Sequence, residues 1–292
     1  MRIGIIGAGY SALWHINAVK RQYPETELMV FDINLQTAKV FSEQCGINVA
    51  ETVEALYEQT DAVMICTPTS AHYDLAMEAM KKRKHVLCEK PMALNAEDAK
   101  KMAERAKEIG TVCAVGFNYR FFDVTEIWKK QYAQDGIRRI KLVIQRLFRS
   151  DWHHKGNGVL MDLGIHLIDL LVYLCGQKIA IDSCEKLMKY REDWDYYARI
   201  RGKTEGGIPF ELIAARTEEP DEVGFIMEID GKTQAFKFDS RREPQDFFDF
   251  SASIQRQDQA WMQAIFFGRW GQLASFDSGL YAQNVVAYFL RE

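Results

Sequence analysis

Short apolar runs alternate with longer stretches of helical spacing over the first 120 residues. Ile3–Ile6, Glu27–Phe31, Ala62–Cys66, His85–Cys88 and Thr111–Val115 read as strands. Between them, Ala12–Tyr23, Leu35–Cys45 and His72–Lys82 carry apolar residues on one helical stripe. Asn95 is placed to cap a further helix that runs to Ile109 and ends at Gly110. Strands apolar on both faces, alternating with helices, predict a parallel sheet covered on both sides. The rhythm changes after Gly116-Phe117-Asn118-Tyr119-Arg120. A helix is expected at Val124–Gln134, a long strand at Ile137–Phe148 and an apolar helix at Val159–Cys175. Strand-like runs follow at Asp182–Tyr190, Tyr196–Gly202, Pro209–Arg216, Val223–Ile229 and Gln234–Phe238. Their turns carry Glu205-Gly206-Gly207 and Asp230-Gly231-Lys232, so a mostly antiparallel sheet is expected. Helices at Ser253–Phe267 and Ser278–Leu290 close the chain. The pattern divides it into residues 1–119 and 120–292, with the last helix able to pack back on the first part.

Composition narrows the class. A chain of 292 residues is long enough for about two domains and a sizeable core. With 37 basic and 41 acidic residues the net charge is −4, the wrong sign for a nucleic-acid or anionic-membrane partner. The apolar run after Met1-Arg2 is too short for a signal-peptide core. The longest apolar stretch, Leu163–Leu174, is broken by His166 and Asp169, which argues against a membrane span. Six cysteines stand singly, without a CxxC pair, and read as reduced thiols of a cytoplasmic protein.

The first turn is chemically specific. Gly7-Ala8-Gly9-Tyr10-Ser11-Ala12 joins the first strand to the first helix. Gly7 permits the tight turn, Gly9 lets backbone approach a pyrophosphate, and Ala12 lets helix and strand pack closely. The helix N-terminus offers N–H groups to phosphates. The second strand ends at Asp32, spaced as a carboxylate that binds ribose hydroxyls and repels a 2′-phosphate. The cofactor expected is therefore NAD, with NADP the weaker alternative, on a Rossmann dinucleotide-binding domain.

Three other segments look chemical. Glu89-Lys90-Pro91 ends a buried strand, and Pro91 keeps Lys90 out of helical geometry at the carboxyl edge of the sheet. Asp162 and His166 lie four apart on an otherwise apolar helix and share a face. Asn118-Tyr119-Arg120 sits at the junction. The neighbouring Asp151-Trp152-His153-His154 reads as a loop rimming the site rather than as a metal site.

Together these segments resemble the Gfo/Idh/MocA family, the group of glucose–fructose oxidoreductase and inositol dehydrogenase. The resemblance rests on Gly7–Ala12, on Thr67-Pro68 with His72, and on His85–Pro91. It continues through Gly116–Arg120, Gly156–Asp169 and Phe276–Leu280, nearly the whole chain. It implies a Rossmann domain followed by an α+β domain with an open, mostly antiparallel sheet. It also implies hydride transfer between a nicotinamide and a secondary alcohol or ketone of a sugar or cyclitol. The family's catalytic lysine falls on Lys90, and its helical Asp and His on Asp162 and His166. Gly7, Gly9, Tyr10, Ser11, Ala12, Asp32, Thr67, Pro68, His72, Glu89 and Lys90 are then expected at the cofactor. Lys90, Asn118, Arg120, Trp152, Asp162 and His166 are expected at the substrate. Histidine ionises near neutrality, so His166 is read as the base. Lys90 is read as orienting acid or base, and Asp162 as a hydrogen-bonding or tuning group. Arg120 or Arg149 suits a phosphate or carboxylate, or bridges domains. The usual triple-glycine turn reads Gly156-Asn157-Gly158, Thr69 stands where Asn is common, and the second half is short for the family. Homodimer or homotetramer therefore carries over only weakly. The other readings of the same fold are a non-catalytic nicotinamide-bound sensor and an enzyme that recycles NAD during glycoside cleavage.

Overall fold

A computed structural model describes residues 1–147, 158–188, 195–219, 224–237 and 248–290. The chain forms two compact units, one of residues 1–121 and 250–283 and one of residues 122–249 and 284–292. Residues 250–283 thus join unit 1, where the hydropathy pattern placed one second part over 120–292 with the last helix able to pack back on the first.

In unit 1 the alternation of elements is as follows. Strand β1 (Arg2–Ile6) leads to α1 (Tyr10–Gln22), β2 (Glu27–Phe31), α2 (Leu35–Cys45) and a short β3 (Asn48–Val49). Then come α3 (Val53–Gln59), β4 (Ala62–Ile65), α4 (His72–Lys81) and β5 (His85–Cys88). Helix α5 (Ala96–Ile109) and β6 (Cys113–Val115) complete the run. Asn95 caps α5 through the Asp98 amide, and Gly110 closes it in left-handed geometry, as the sequence predicts. The two-residue β3 and the seven-residue α3 are too short to show a period and escape the hydropathy reading.

Strands β1 to β6 are parallel in the order β3-β2-β1-β4-β5-β6. The strand order reverses between β1 and β4, so the crevice beyond their carboxyl ends is the place where such sheets bind ligands. Ile3, Ile5, Val30, Met64, Leu87 and Ala114 face a shared core. That core also holds Ile16 and Val19 of α1, together with Trp261 and Met262.

Unit 2 begins with α6 (Asp123–Asp135) and β7 (Ile140–Leu147). A π-helical turn at Leu160–Gly164 runs into α7 (Ile165–Cys175). Strands β8 (Ile179–Met188), β9 (Asp195–Thr204), β10 (Pro209–Thr217), β11 (Gly224–Ile229) and β12 (Lys232–Lys237) follow. Their sheet has the order β12-β11-β7-β10-β9-β8 and is antiparallel except where β10 runs parallel to β7. Helix α8 (Phe248–Phe267) enters unit 1 almost at once, and β13 (Ala274–Ser275) adds an antiparallel edge beside β6. Helix α9 (Phe276–Leu290) begins in unit 1 and ends in unit 2. Residues 250–283 return because Trp261, Met262, Ala264 and Leu273 complete the core of the parallel sheet.

Alternate residues of β7, β9 and β10 point away from the unit 2 core. Glu211 stands opposite Lys141 on one neighbouring strand and Arg201 on the other. Its carboxylate accepts from Arg199 and Arg201, each at 2.8 Å, and pairs with Lys141 at 3.3 Å. Burial alone would raise its pKa, but the three cations outweigh burial and hold it at about 2. A depressed carboxylate pKa adds stability above the unfolded value and loses it as pH falls through the folded value. Glu211→Gln is therefore expected to cost about 1–3 kcal/mol at neutral pH. The gap in melting temperature should close between pH 4.5 and about 2, a range that thermal melts resolve directly.

Candidate active site

The nucleotide turn is built by what it excludes. Gly7 has φ +99°, and a Cβ there would lie 2.8 Å from the Cys66 carbonyl oxygen at the end of β4. Gly9 has open space where its Cβ would stand, which leaves the backbone accessible. Ala12 is fully buried against the sheet. Helix α1 has no side-chain cap and no acidic residue in its first turn, so its leading N–H groups face outward unneutralised. Tyr10 is half exposed and packs edge-on to Trp14, and Ser11 lies next to the Cys66 thiol.

Asp32 is locked beside this turn. One of its oxygens accepts from the Ala8 amide and the other from the Asn34 amide, both at 2.8 Å. Asn34 in turn caps α2. A cavity of about 350 Å³ opens beside them, lined by Ala8, Asn34, Gln36, Thr37 and Phe41 among others, with no cation in the lining. Across the switch point, the Thr67 hydroxyl is buried with no partner among the described residues. An open backbone at Gly9, an uncapped helix and an unsatisfied Thr67 hydroxyl fit a dinucleotide.

His72 was expected at the cofactor, but its ring is spent inside the protein. It is buried, with its nitrogens 2.8 Å from the carbonyl oxygens of Thr67 and Pro91. Two carbonyls would suit an imidazolium, but burial outweighs them and lowers the pKa, so the neutral ring donates to one of the two. His72 thus ties the Thr67-Pro68 loop to the Glu89-Lys90-Pro91 segment, whose Lys90–Pro91 peptide is cis. Asn118 and Arg120 are likewise buried. The Asn118 amide donates to Ser253 at 2.9 Å, and Arg120 donates to the Gln272 carbonyl at 3.2 Å. Both anchor the returning segment within unit 1.

Sequence reasoning passed over His15. It lies on the buried face of α1, where Nδ1 donates to both oxygens of Asp258 at 2.9 Å. Its Nε2 donates to Glu89 at 3.1 Å. A lone polar residue on the apolar face of the first helix was the available signal.

In unit 2, Asp162 and His166 start the apolar helix, but Asp162 lies in a π-helical turn rather than in a regular α-helix. Such turns are often found at functional sites. The turn is pinned by Asp195, whose carboxylate accepts from the Leu160 amide at 2.7 Å. It also explains Gly158, because a Cβ there would fall 1.8 Å from Asp195 Oδ1. His166 is buried, and Asp162 is tied to the guanidinium of Arg216 on β10. Arg216 was also missed. It follows Phe210, Leu212 and Ala214 on the inward face of its strand, so a charge at that position was the signal. Trp152, His153, His154 and Arg149 lie outside the described residues.

Parallel strands in this order, a glycine turn at the switch point and an anchored carboxylate after β2 define a Rossmann-type dinucleotide-binding fold. Two family models match the chain. The oxidoreductase family with an NAD-binding Rossmann fold covers residues 1–117, and the GFO/IDH/MocA C-terminal domain covers residues 98–237. The chain belongs to the Gfo/Idh/MocA family of oxidoreductases. It is similar to glucose-6-phosphate 3-dehydrogenase of Bacillus subtilis, at 28% identity over all of this chain and 96% of that protein. It is similar to UDP-N-acetylglucosamine 3-dehydrogenase of Acidithiobacillus ferrooxidans at 34% identity, over 60% of this chain and 55% of that protein. Against myo-inositol 2-dehydrogenase of Thermotoga maritima the identity is 29%, over 61% of this chain and 56% of that protein. Among solved structures, GenD2 of gentamicin A biosynthesis in complex with NAD superposes with a TM-score of 0.86 at 18% identity. That match covers 99% of this chain and 93% of that one.

Replacing Arg216 by Met should strand the Asp162 carboxylate. A loss of about 2–4 kcal/mol in denaturant unfolding is expected, and Asp162→Asn in the same background should recover part of it.

Proposed function

We propose that the chain is an NAD-dependent dehydrogenase acting on a secondary alcohol or ketone of a hexose, a hexose derivative or a cyclitol. The observation that carries this reading is one edge of one sheet. The Gly7–Gly9 turn, the anchored Asp32, Thr67 and the Glu89-Lys90 segment all follow carboxyl ends of parallel strands. NAD, when bound, supplies the hydride acceptor. The chain's own residues bind it, orient the sugar and handle the hydroxyl proton. Asp32 presents a carboxylate whose two oxygens are already fixed by backbone amides, and the cavity beside it lacks the cation that a 2′-phosphate needs. That combination favours NAD over NADP.

For the chemistry, we assign His166 as the group that accepts the hydroxyl proton and Lys90 as the cation that steadies the developing alkoxide. Asp162, already engaged by Arg216, accepts a hydrogen bond from the substrate hydroxyl. A relative that matches over all of this chain and 96% of its own length is a glucose-6-phosphate 3-dehydrogenase, so hexose phosphates lead the candidates.

Formation of NADH across glucose 6-phosphate, free hexoses, nucleotide sugars, uronates and inositols tests the reading. A blank panel with tight NAD binding would point instead to a sensor or to recycled NAD in glycoside cleavage. Lys90→Ala is expected to lower kcat by about a thousandfold while the NAD dissociation constant stays within about twofold, as isothermal titration would show. Asp32→Ala should weaken NAD about tenfold or more and leave NADP affected less, so the ratio of the two kcat/KM values falls.

A further inference from the structure

Unit 1 holds a largely buried ionic cluster that the binding of a dinucleotide does not itself require. It joins residues 15, 89 and 258, from the first helix, the end of β5 and the returning helix α8. His15 and Asp258 are essentially inaccessible, with 1% side-chain exposure each. The Glu89 carboxylate has two assignments at once. One oxygen accepts from His15 Nε2 at 3.1 Å, and the other accepts from the backbone amide of Lys90 at 3.2 Å. Gly116 makes room for this carboxyl, because a Cβ there would stand 3.3 Å from it.

Building on the reading of Lys90 above, we infer that His15 is a positioning residue for Lys90. As an imidazolium clamped by Asp258, it orients Glu89, and Glu89 holds the lysine's backbone in register with the nucleotide turn.

Geometry supports each link. His15 lies on the same helix whose first turn would meet the phosphates, about 1.7 turns along from Gly9. A change in the ring's charge or tilt therefore acts on the Glu89 carboxylate, and through it on the chain at Lys90. Two buried ionisable groups and a partly buried third would be costly if left unpaired, which favours the paired arrangement. The groups around it are few. Asp258 and Glu89 face the ring itself. The Cys66 and Cys88 thiols lie near, held neutral by burial, and Lys90 and His72 lie near Glu89. Burial works against the charge on His15, but Asp258 and then Glu89 outweigh it and raise its pKa to about 10. Burial would raise the pKa of Glu89, but His15 and Lys90 together outweigh it and hold the carboxyl below its ordinary value.

The test separates this link from the dehydrogenase reading. In the parent protein, 15N imidazole spectra should show His15 doubly protonated across about pH 5–9. A ring that loses its proton near or below the ordinary histidine value overturns the proposal without any variant. In Asp258→Asn the ring should titrate within that range. The backbone amide of Lys90 should shift with the same midpoint, because it donates to the carboxylate that the ring holds. A Lys90 amide that ignores the titration overturns the proposal. In turnover of an active sugar, Asp258→Asn should acquire a new limb in its kcat–pH profile at that midpoint. His15→Gln should lower kcat about tenfold or more with no such limb and with KM for NAD within about twofold. Parent-like kcat in a folded His15→Gln protein also overturns it. If no sugar is oxidised by the parent, the dehydrogenase reading fails, while the spectra still decide the link between His15 and Lys90.

Discussion

A buried cation between two carboxylates fixes how the C-terminal segment completes the nucleotide-binding unit. A parallel sheet has two apolar faces and must cover both. One cover of this sheet, α8, arrives after more than a hundred residues spent in another unit. Its apolar contacts, Trp261 and Met262 against the sheet core, are strong but carry little directional information. Sliding the helix by a turn would still bury apolar surface. The His15–Asp258 contact does not tolerate such a slide, because it would leave charges buried and unpaired. The Asn118–Ser253 and Arg120–Gln272 bonds act the same way on the flanks. Hydrophobic area thus brings the segment back, and these polar contacts choose its register.

Much of this unit was legible in the sequence because its information is local. Glu27–Phe31, Leu35–Cys45 and His85–Cys88 are found where the hydropathy pattern puts them. Asn95 and Gly110 mark the ends of α5 by the backbone chemistry that makes them good caps. Gly7 and Ala12 could be assigned tasks because each task is a steric one between neighbouring elements. The second sheet was legible as a class, from its tight turns. The parallel pairing of β10 with β7 was not, since no local pattern records which strand a distant strand will join.

What the sequence hid are pairings between residues far apart. His15 and Asp258 are separated by 243 positions, and Asp162 and Arg216 by 54. Each partner alone reads as an odd polar residue on an apolar face. Only the fold shows that the oddities come in complementary pairs. His72, Asn118 and Arg120 were expected at ligands, with Arg120 alternatively bridging domains; the contacts they make with Thr67, Pro91, Ser253 and Gln272 were equally invisible in the sequence. A buried polar group must find partners, and in a core the nearest ones are usually protein.

The pairing of Asp162 also narrows the chemistry we propose. Oxidising an alcohol calls for a group that takes a proton and for groups that hold the hydroxyl still while it leaves. A carboxylate already engaged by a guanidinium is stabilised as an anion, which makes it a better acceptor than base. Its place in a π-helical turn, tied down at Leu160 by Asp195, further suits it to holding a fixed position. In the chemistry we propose, the proton then falls to His166. His166 lies in the first turn of the regular helix that follows, and a histidine gains and loses its proton near neutral pH. The irregular turn and the distant arginine thereby support the roles proposed for Asp162 and His166, which their four-residue spacing does not by itself distinguish.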